Sequence, residues 1–219
     1  MHTPTPWGLP SLPFAHRLEP FTDDLERDEV YEWLHFDGRT FDGIDGGMTR
    51  FNECALSSVT FTGGRFRRAR LDTVWLDTIR TVGSDLAETS LLDTECRSSL
   101  LAGTQLHGSQ MRRTVFPHCK FDSVNLRAAR LRDVTFADCL LRDVDFAGAS
   151  LTDVSFPGTT LERVDLTKAA RARVDLREAT TLGITSGVEA LKGATISTLQ
   201  LFDLAPALAQ HIGLTVKDS

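Results

Sequence analysis

Residues 124–156 read VNLRAARLRDVTFADCLLRDVDFAGASLTDVSF, and in this stretch a large apolar residue returns every fifth position: Leu126, Leu131, Phe136, Leu141, Phe146, Leu151, Phe156. Two residues before each stands a small or slender one, as in Val124, Ala129, Val134, Cys139, Val144, Ala149 and Val154. The other three positions of each unit are mostly Asp, Arg, Thr, Ser, Gly or Ala. A helix repeats its apolar residues at 3.6 and a strand at 2, so neither accounts for a period of five. A chain that turns a corner every five residues does account for it. The large centre and the small residue before it then both point inward, and the remaining three face water.

Working outward, the same register runs from Phe36 to Leu201 and is read as unbroken. Of its 34 positions, 28 are Phe, Leu, Met or Ile and one is Cys96; Gly46, Thr81, Arg171, Thr181 and Ser186 depart from it. Ten of the 13 phenylalanines lie on it. Four corners make a square coil of 20 residues, and coils paired like neighbouring strands stack about 4.8 Å apart, giving a rod on the order of 40 Å long. Centres 20 apart then form columns, and Phe116, Phe136 and Phe156 are expected to stack their rings. The stretch 81–99, TVGSDLAETSLLDTECRSS, departs most from the pattern and is expected to be distorted.

Segments such as VDFAGASLTDVSF and VNLRAARLRDVTF resemble the pentapeptide-repeat family, whose motif is roughly A(D/N)Lxx. The resemblance covers about three quarters of the chain. It implies an all-β solenoid, a right-handed quadrilateral β-helix of about eight 20-residue coils, with an N-terminal cap and a short C-terminal α-helix. The organisation expected is a flexible tail at 1–13, a cap at 14–35, the β-helix at 36–201, and a helix with its tail at 202–219. Open coil ends need covering. The acidic segment EPFTDDLERDEVYEWLH, residues 19–35, suits one end with Phe21, Leu25, Val30, Tyr31, Trp33 and Leu34. At the other, Leu201, Leu204, Leu208 and Ile212 fall at helical spacing, with Asp203 as cap, Pro206 in the first turn and Gly213 at the end. This stripe either covers the last coil or pairs two rods into a homodimer. Relatives use such a helix for both purposes.

Net charge is −6, with no run of apolar residues long enough to cross a bilayer and no signal-like start, so the cytoplasm is the expected compartment and a general nucleic-acid binder is not. Six histidines stand at no metal-ligand spacing, and neither metal nor cofactor is expected. Cys119 and Cys139, 20 apart, read as stacked neighbours in the small inward column and not as a disulfide. No nucleophile motif or phosphate loop is present, which argues against catalysis.

Charge is distributed unevenly. Residues 1–35 carry two Arg against seven Asp and Glu, whereas residues 36–201 balance 21 against 21. The face centred on Phe36, Leu56 and Leu76 holds Asp37, Asp77, Glu95, Asp138, Asp175 and Glu178 against Arg97 and Arg177, and these acids are the candidate partner-binding site. The face centred on Phe51, Leu71 and Met111 is basic by about three charges, with Arg112, Arg130 and Arg132. Several members of the family bind DNA gyrase or topoisomerase IV by imitating DNA with an acidic surface, protecting the enzyme from inhibitors. The resemblance implies such a partner here, and the neutral rod favours instead a scaffold for some other protein.

Overall fold

The structure, a computed structural model, describes residues 8–172 and 174–215. Short parallel strands repeat every 20 residues and pair in register up the rod: Phe36 with Leu56, Leu56 with Leu76, Leu76 with Cys96, and Phe116 with Phe136. The result is a four-sided solenoid of about eight turns closed by one C-terminal helix. Three faces are strand ladders. The fourth is joined by single bridges, from Asp45–Arg65 up to Asp145–Asp165.

Two local devices turn each corner. The residue two after each centre from Phe36 to Leu166 has positive φ, whether it is Gly63 (60°) or a side-chain residue such as Thr78 (58°), Asp138 (52°) or Arg163 (54°). A Cβ in that region costs roughly 1–2 kcal/mol. The cost is offset because the N–H so turned donates to the next coil, as from Ser58 to Asp77 O (2.9 Å) and from Thr78 to Arg97 O (3.0 Å). On the bridged face and at the last corner, an Asp or Asn accepts the N–H two residues on: Asp85 from Ala87, Asn125 from Arg127, Asp145 from Ala147 and Asp165 from Thr167. That contact explains why Asp and Asn precede so many centres.

Centres fill the interior. Phe116, Phe136 and Phe156 stack with centroids 5.1 and 5.3 Å apart and ring planes within 10°. Ser, Thr or Cys at the small inward position donates either to a carbonyl just before it, as Thr89 does to Leu86 O, or to the carbonyl of a centre in the preceding coil, while the buried Ser109 hydroxyl has no partner among the described residues. Ser84 donates to Phe61 O, Cys119 to Cys96 O, Cys139 to Phe116 O and Thr159 to Phe136 O. Burial therefore leaves these donors satisfied. The stretch 81–99 is regular for the same reason, contrary to the expected distortion. Arg80–Val82, Ser90–Leu92 and Glu95–Arg97 pair in register, and buried Thr81 shares a 2.8 Å hydrogen bond with Thr104.

The register does slip locally. Thr160 pairs with Thr181 and Leu161 with Leu182, an offset of 21, Val164 keeps the offset of 20 with Ile184, and Asp165 pairs with Ser186 at 21 again; Leu182 and Ile184 are buried and Thr181 and Ser186 exposed. The extra residue turns Leu182 inward in place of Thr181, and its burial decides the register. Gly183 permits the approach, since a Cβ there would stand 2.7 Å from Leu161 O.

Both ends differ from expectation. Coil pairing begins before Phe36, because Glu19–Pro20 pairs with Leu34–Asp37 and Phe21 stacks on Phe36 at 4.1 Å. Phe21, Leu25 and Tyr31 are buried, whereas Val30 is exposed. Residues 8–13 are no loose tail. Leu9–Ser11 form a turn of 3-10 helix, and Leu12 and Phe14 are buried against Ala55 and Trp75. Residues 1–7 lie outside the described residues. The C-terminal helix spans Thr198–His211, starting before Asp203; Ser197 caps it, Gln200 completes the capping box and Pro206 lies inside it. Gly213 follows its end at φ 80°. Gln200 is buried and its amide donates to Leu176 O (2.6 Å) and Ala179 O (2.8 Å), satisfying carbonyls of the last coil. Leu204 is buried beside it and Leu208 packs against the core, but Leu201 and Ile212 face solvent. The four leucine and isoleucine positions are thus split between two sides of the helix.

Candidate functional site

The outward residues of each face inherit the coil spacing, so a side chain meets its counterpart 20 residues away. Several arginines use this to reach an acid. Arg142 pairs with Glu162 (2.8 Å), Arg163 with Asp143 (2.6 Å) and Arg113 with Asp93 (2.5 Å). Arg67 bridges Asp85 (3.3 Å) and Glu88 (2.6 Å). The guanidinium hydrogen-bonded to each of Asp93, Asp143 and Glu88 holds that carboxyl below its usual range.

The six acids of the candidate site do not form one stripe. Asp37 stands exposed two coils below Asp77, with Ser57 between them in the same column. Asp77 is ion-paired with Arg97 at 3.5 Å. Asp175 is held by Arg177 at 2.6 Å, and that contact lowers its pKa. Glu95 lies half-buried with its Oε1 unpartnered, and desolvation raises its pKa. Asp138, with His118 4.0 Å away, and Glu178 remain exposed. Part of the face is covered, since Leu12 and Phe14 sit on Ala55 and Trp75. A small groove of about 190 Å³ between Phe14, Trp75 and Glu95 continues from there.

Unpaired acid gathers at the N-terminal end, where Asp23, Asp24, Glu26, Asp28 and Glu29 are all exposed on the first partial coil. Arg39 is drawn to the same end and donates to Asp23 O (2.8 Å) and Thr22 O (3.4 Å). The sequence shows this acidic run, but the paired Asp77 and Asp175 depend on which arginines lie beside them.

The basic face holds a column of hydrogen-bond donors in register: Arg50, Arg70, Ser90, Gln110, Arg130. Arg112 and Arg132 face each other in the adjoining column. A polar groove of about 720 Å³ lies here, lined by Arg50, Arg68, Arg70, Ser90, Gly108 and Gln110 among others. Inside the rod, the lumen between Phe51 and Phe116 keeps an apolar void of about 90 Å³, where leucines replace phenylalanines.

The four cysteines are buried free thiols. Burial pushes Cys54 up to about 11, and hydrogen bonds with Cys139 and Cys96, together with burial, keep Cys119 protonated. Among the described residues no group of His, Cys, Asp and Glu could hold a metal ion, and no helix is long and apolar enough to cross a membrane.

Residues 109–185 match the model of the pentapeptide repeat region. Among solved structures, the chain is similar to HetL, a pentapeptide repeat protein involved in heterocyst differentiation regulation from the cyanobacterium Nostoc sp. strain PCC 7120. The TM-score is 0.51 at 17% identity, covering 77% of this chain and 89% of that one. It is also similar to QnrB1, a plasmid-mediated fluoroquinolone resistance protein, in a trypsin-treated form. There the TM-score is 0.45 at 16% identity, covering 91% and 96%. No curated protein matches the sequence. At these identities the likeness speaks to the fold.

Proposed function

We propose that this pentapeptide repeat protein is a non-catalytic binding rod that acts in the cytoplasm by presenting its outer faces to another protein. The observation that carries the reading is the filled interior: every inward column is occupied by packed side chains, and the lumen void is apolar and lined only by core residues. What is left to act is the surface, as the regular faces of a stack about eight coils long.

The narrower form of the proposal is that the partner is a type II topoisomerase, DNA gyrase or topoisomerase IV, whose basic DNA-binding surface receives the acidic end of the rod. The exposed cluster from Asp23 to Glu29, with Asp37, Asp138 and Glu178 along the first face, supports it. Purified gyrase should bind the protein at low ionic strength and lose it steeply toward physiological salt, where the Debye length falls to about 8 Å. Reversing Asp23, Asp24 and Glu26 to Lys should weaken binding by about tenfold or more, and supercoiling assays with a quinolone should show protection by the wild type alone. Absence of binding at low salt would leave the general scaffold reading in its place. The pairing of Asp77 with Arg97 and of Asp175 with Arg177 favours that second reading.

A second copy of the chain is the proposed partner of the C-terminal helix. Its outer side exposes Leu199 (77%) and Phe202 (70%), with Leu201 and Ile212 nearby, which is more apolar surface than a monomer ordinarily leaves uncovered on one short helix. Phe202→Asp is expected to halve the mass seen by light scattering without changing the melting temperature. Leu208→Asp should instead loosen the cap, because Leu208 packs on the core. A wild type of single-chain mass would end the dimer proposal.

A further inference from the structure

On the basic face arginines stand beside arginines. Several arginines of the rod meet an acid in the neighbouring coil, as Arg142 meets Glu162, whereas here Arg50 stands in register beside Arg70, and Arg112 beside Arg132. Like charges directly opposite on neighbouring strands repel. Among the described residues Arg50, Arg70, Arg112 and Arg130 have no carboxylate within ion-pair distance, and the column between them is filled by the neutral donors Ser90 and Gln110. Of the two acids lining the groove, Glu88 is engaged by Arg67 and Arg68, and Asp72, which accepts from the Thr73 hydroxyl, keeps its charge against both Arg50 and Arg70.

We propose that this face docks an acidic α-helix of a partner protein, laid along the rod axis with its carboxylates over Arg50, Arg70 and Arg130. Three observations select that occupant. The first is spacing. Coils recur about every 4.8 Å and an α-helix rises about 1.5 Å per residue, so acids at i and i+4 meet Arg50 and Arg70 in adjacent coils, and one at i+14, about 21 Å along, meets Arg130 four coils (about 19 Å) from Arg50. The flexible arginine stems absorb the remaining difference.

The second observation is the floor. Ser90 and Gly108 are small and leave the groove of about 720 Å³. Leu92 is half-buried there, and Leu71 is the one centre of this face between Phe51 and Leu151 that is not fully buried. An amphipathic helix can set a leucine against these two while its acids reach the arginines, which a bare polyanion cannot do. The third is net charge: at −6 the whole protein repels a long nucleic acid but accepts a short acidic segment at a local basic patch. The proposal is independent of the topoisomerase reading, which uses charge of the opposite sign at the acidic end.

The test uses the full chain and a fluorescent synthetic helix bearing Glu at i, i+4 and i+14 with an adjacent Leu, followed by anisotropy. Binding is expected at low ionic strength, falling as salt rises. Arg50→Gln with Arg70→Gln, which removes like-charge repulsion and so preserves the fold, should weaken it at least about tenfold. Arg80→Gln, exposed on the opposite face, should change it less than about twofold. The peptide should also raise the melting temperature of the wild type and not of the double variant. Four outcomes would overturn the proposal: no binding at low ionic strength, equal binding of the peptide with its helix broken by proline, equal loss from Arg80→Gln, or tighter binding of a single-stranded oligonucleotide of the same charge.

Discussion

Phe136→Ala is expected to cost about 3–5 kcal/mol in urea unfolding. Phe136 is fully buried, lies face to face with Phe116 at 5.1 Å and Phe156 at 5.3 Å, and meets the edge of Phe121 at 5.4 Å. Removing the ring opens a cavity that the neighbours cannot close, because each is tied to its own coil by backbone hydrogen bonds on both sides. The damage should spread, since each coil of a solenoid is stabilised only by those next to it. Asp138→Ala, two residues on and exposed, should cost less than about 0.5 kcal/mol. Equal losses for the two would show that the inward and outward positions are wrongly assigned.

Gly187→Ala should cost about 2–5 kcal/mol, most of it at the C-terminal end. The residue has φ 78°, and a Cβ there would stand 2.2 Å from the backbone of Leu166 and Thr167. The left-handed conformation contributes roughly 1–2 kcal/mol and the overlap roughly 1–3 kcal/mol. Because the overlap is with backbone of the coil beneath, the segment from Val188 onward must lift, taking with it the Gln200 bonds to Leu176 and Ala179. Helical circular dichroism should then melt before the β signal. Gly193→Ala is the matched control: φ is 80°, but nothing lies within 4 Å of its added Cβ, so only the conformational cost of about 1–2 kcal/mol remains. Coincident melting in both variants would refute the picture of a cap clamped on the last coil.

The regular part of the rod was legible because each inward position carries its own chemistry. Phe, Leu, Met or Ile at the centre and a small residue two before it recur so often that the columns, the stacked Phe116, Phe136 and Phe156, and the placement of Cys119 beside Cys139 follow from counting. The stretch 81–99 was misjudged because Thr81, Ser84, Thr94 and Ser99 are polar. Their hydroxyls reach nearby hydroxyl or carbonyl partners, and a ladder that satisfies donors tolerates what a purely apolar column would not.

The candidate acidic face was legible as a list of carboxylates and not as a surface. Whether Asp77 or Asp175 is available depends on Arg97 and Arg177, and whether Trp75 is open depends on a segment more than 55 residues earlier in the chain. The same holds for the helix: its leucine spacing suggested a single stripe, and Gln200, the residue that ties it to the coil, carried no apolar signal at all.

Taken alone, the sequence determined the five-residue period, the four-sided coil, the inward columns and the neutrality of the rod, because these are local properties repeated until chance is excluded. The tertiary structure alone decided the one-residue slip that buries Leu182 in place of Thr181, the left-handed corners at residues with ordinary side chains, the seat of Leu12 and Phe14, and the arginines left without acids at Arg50 and Arg70. Each of those is settled by a neighbour one coil away or more. A period of five records what a position needs and not which residue 20 places on will stand beside it.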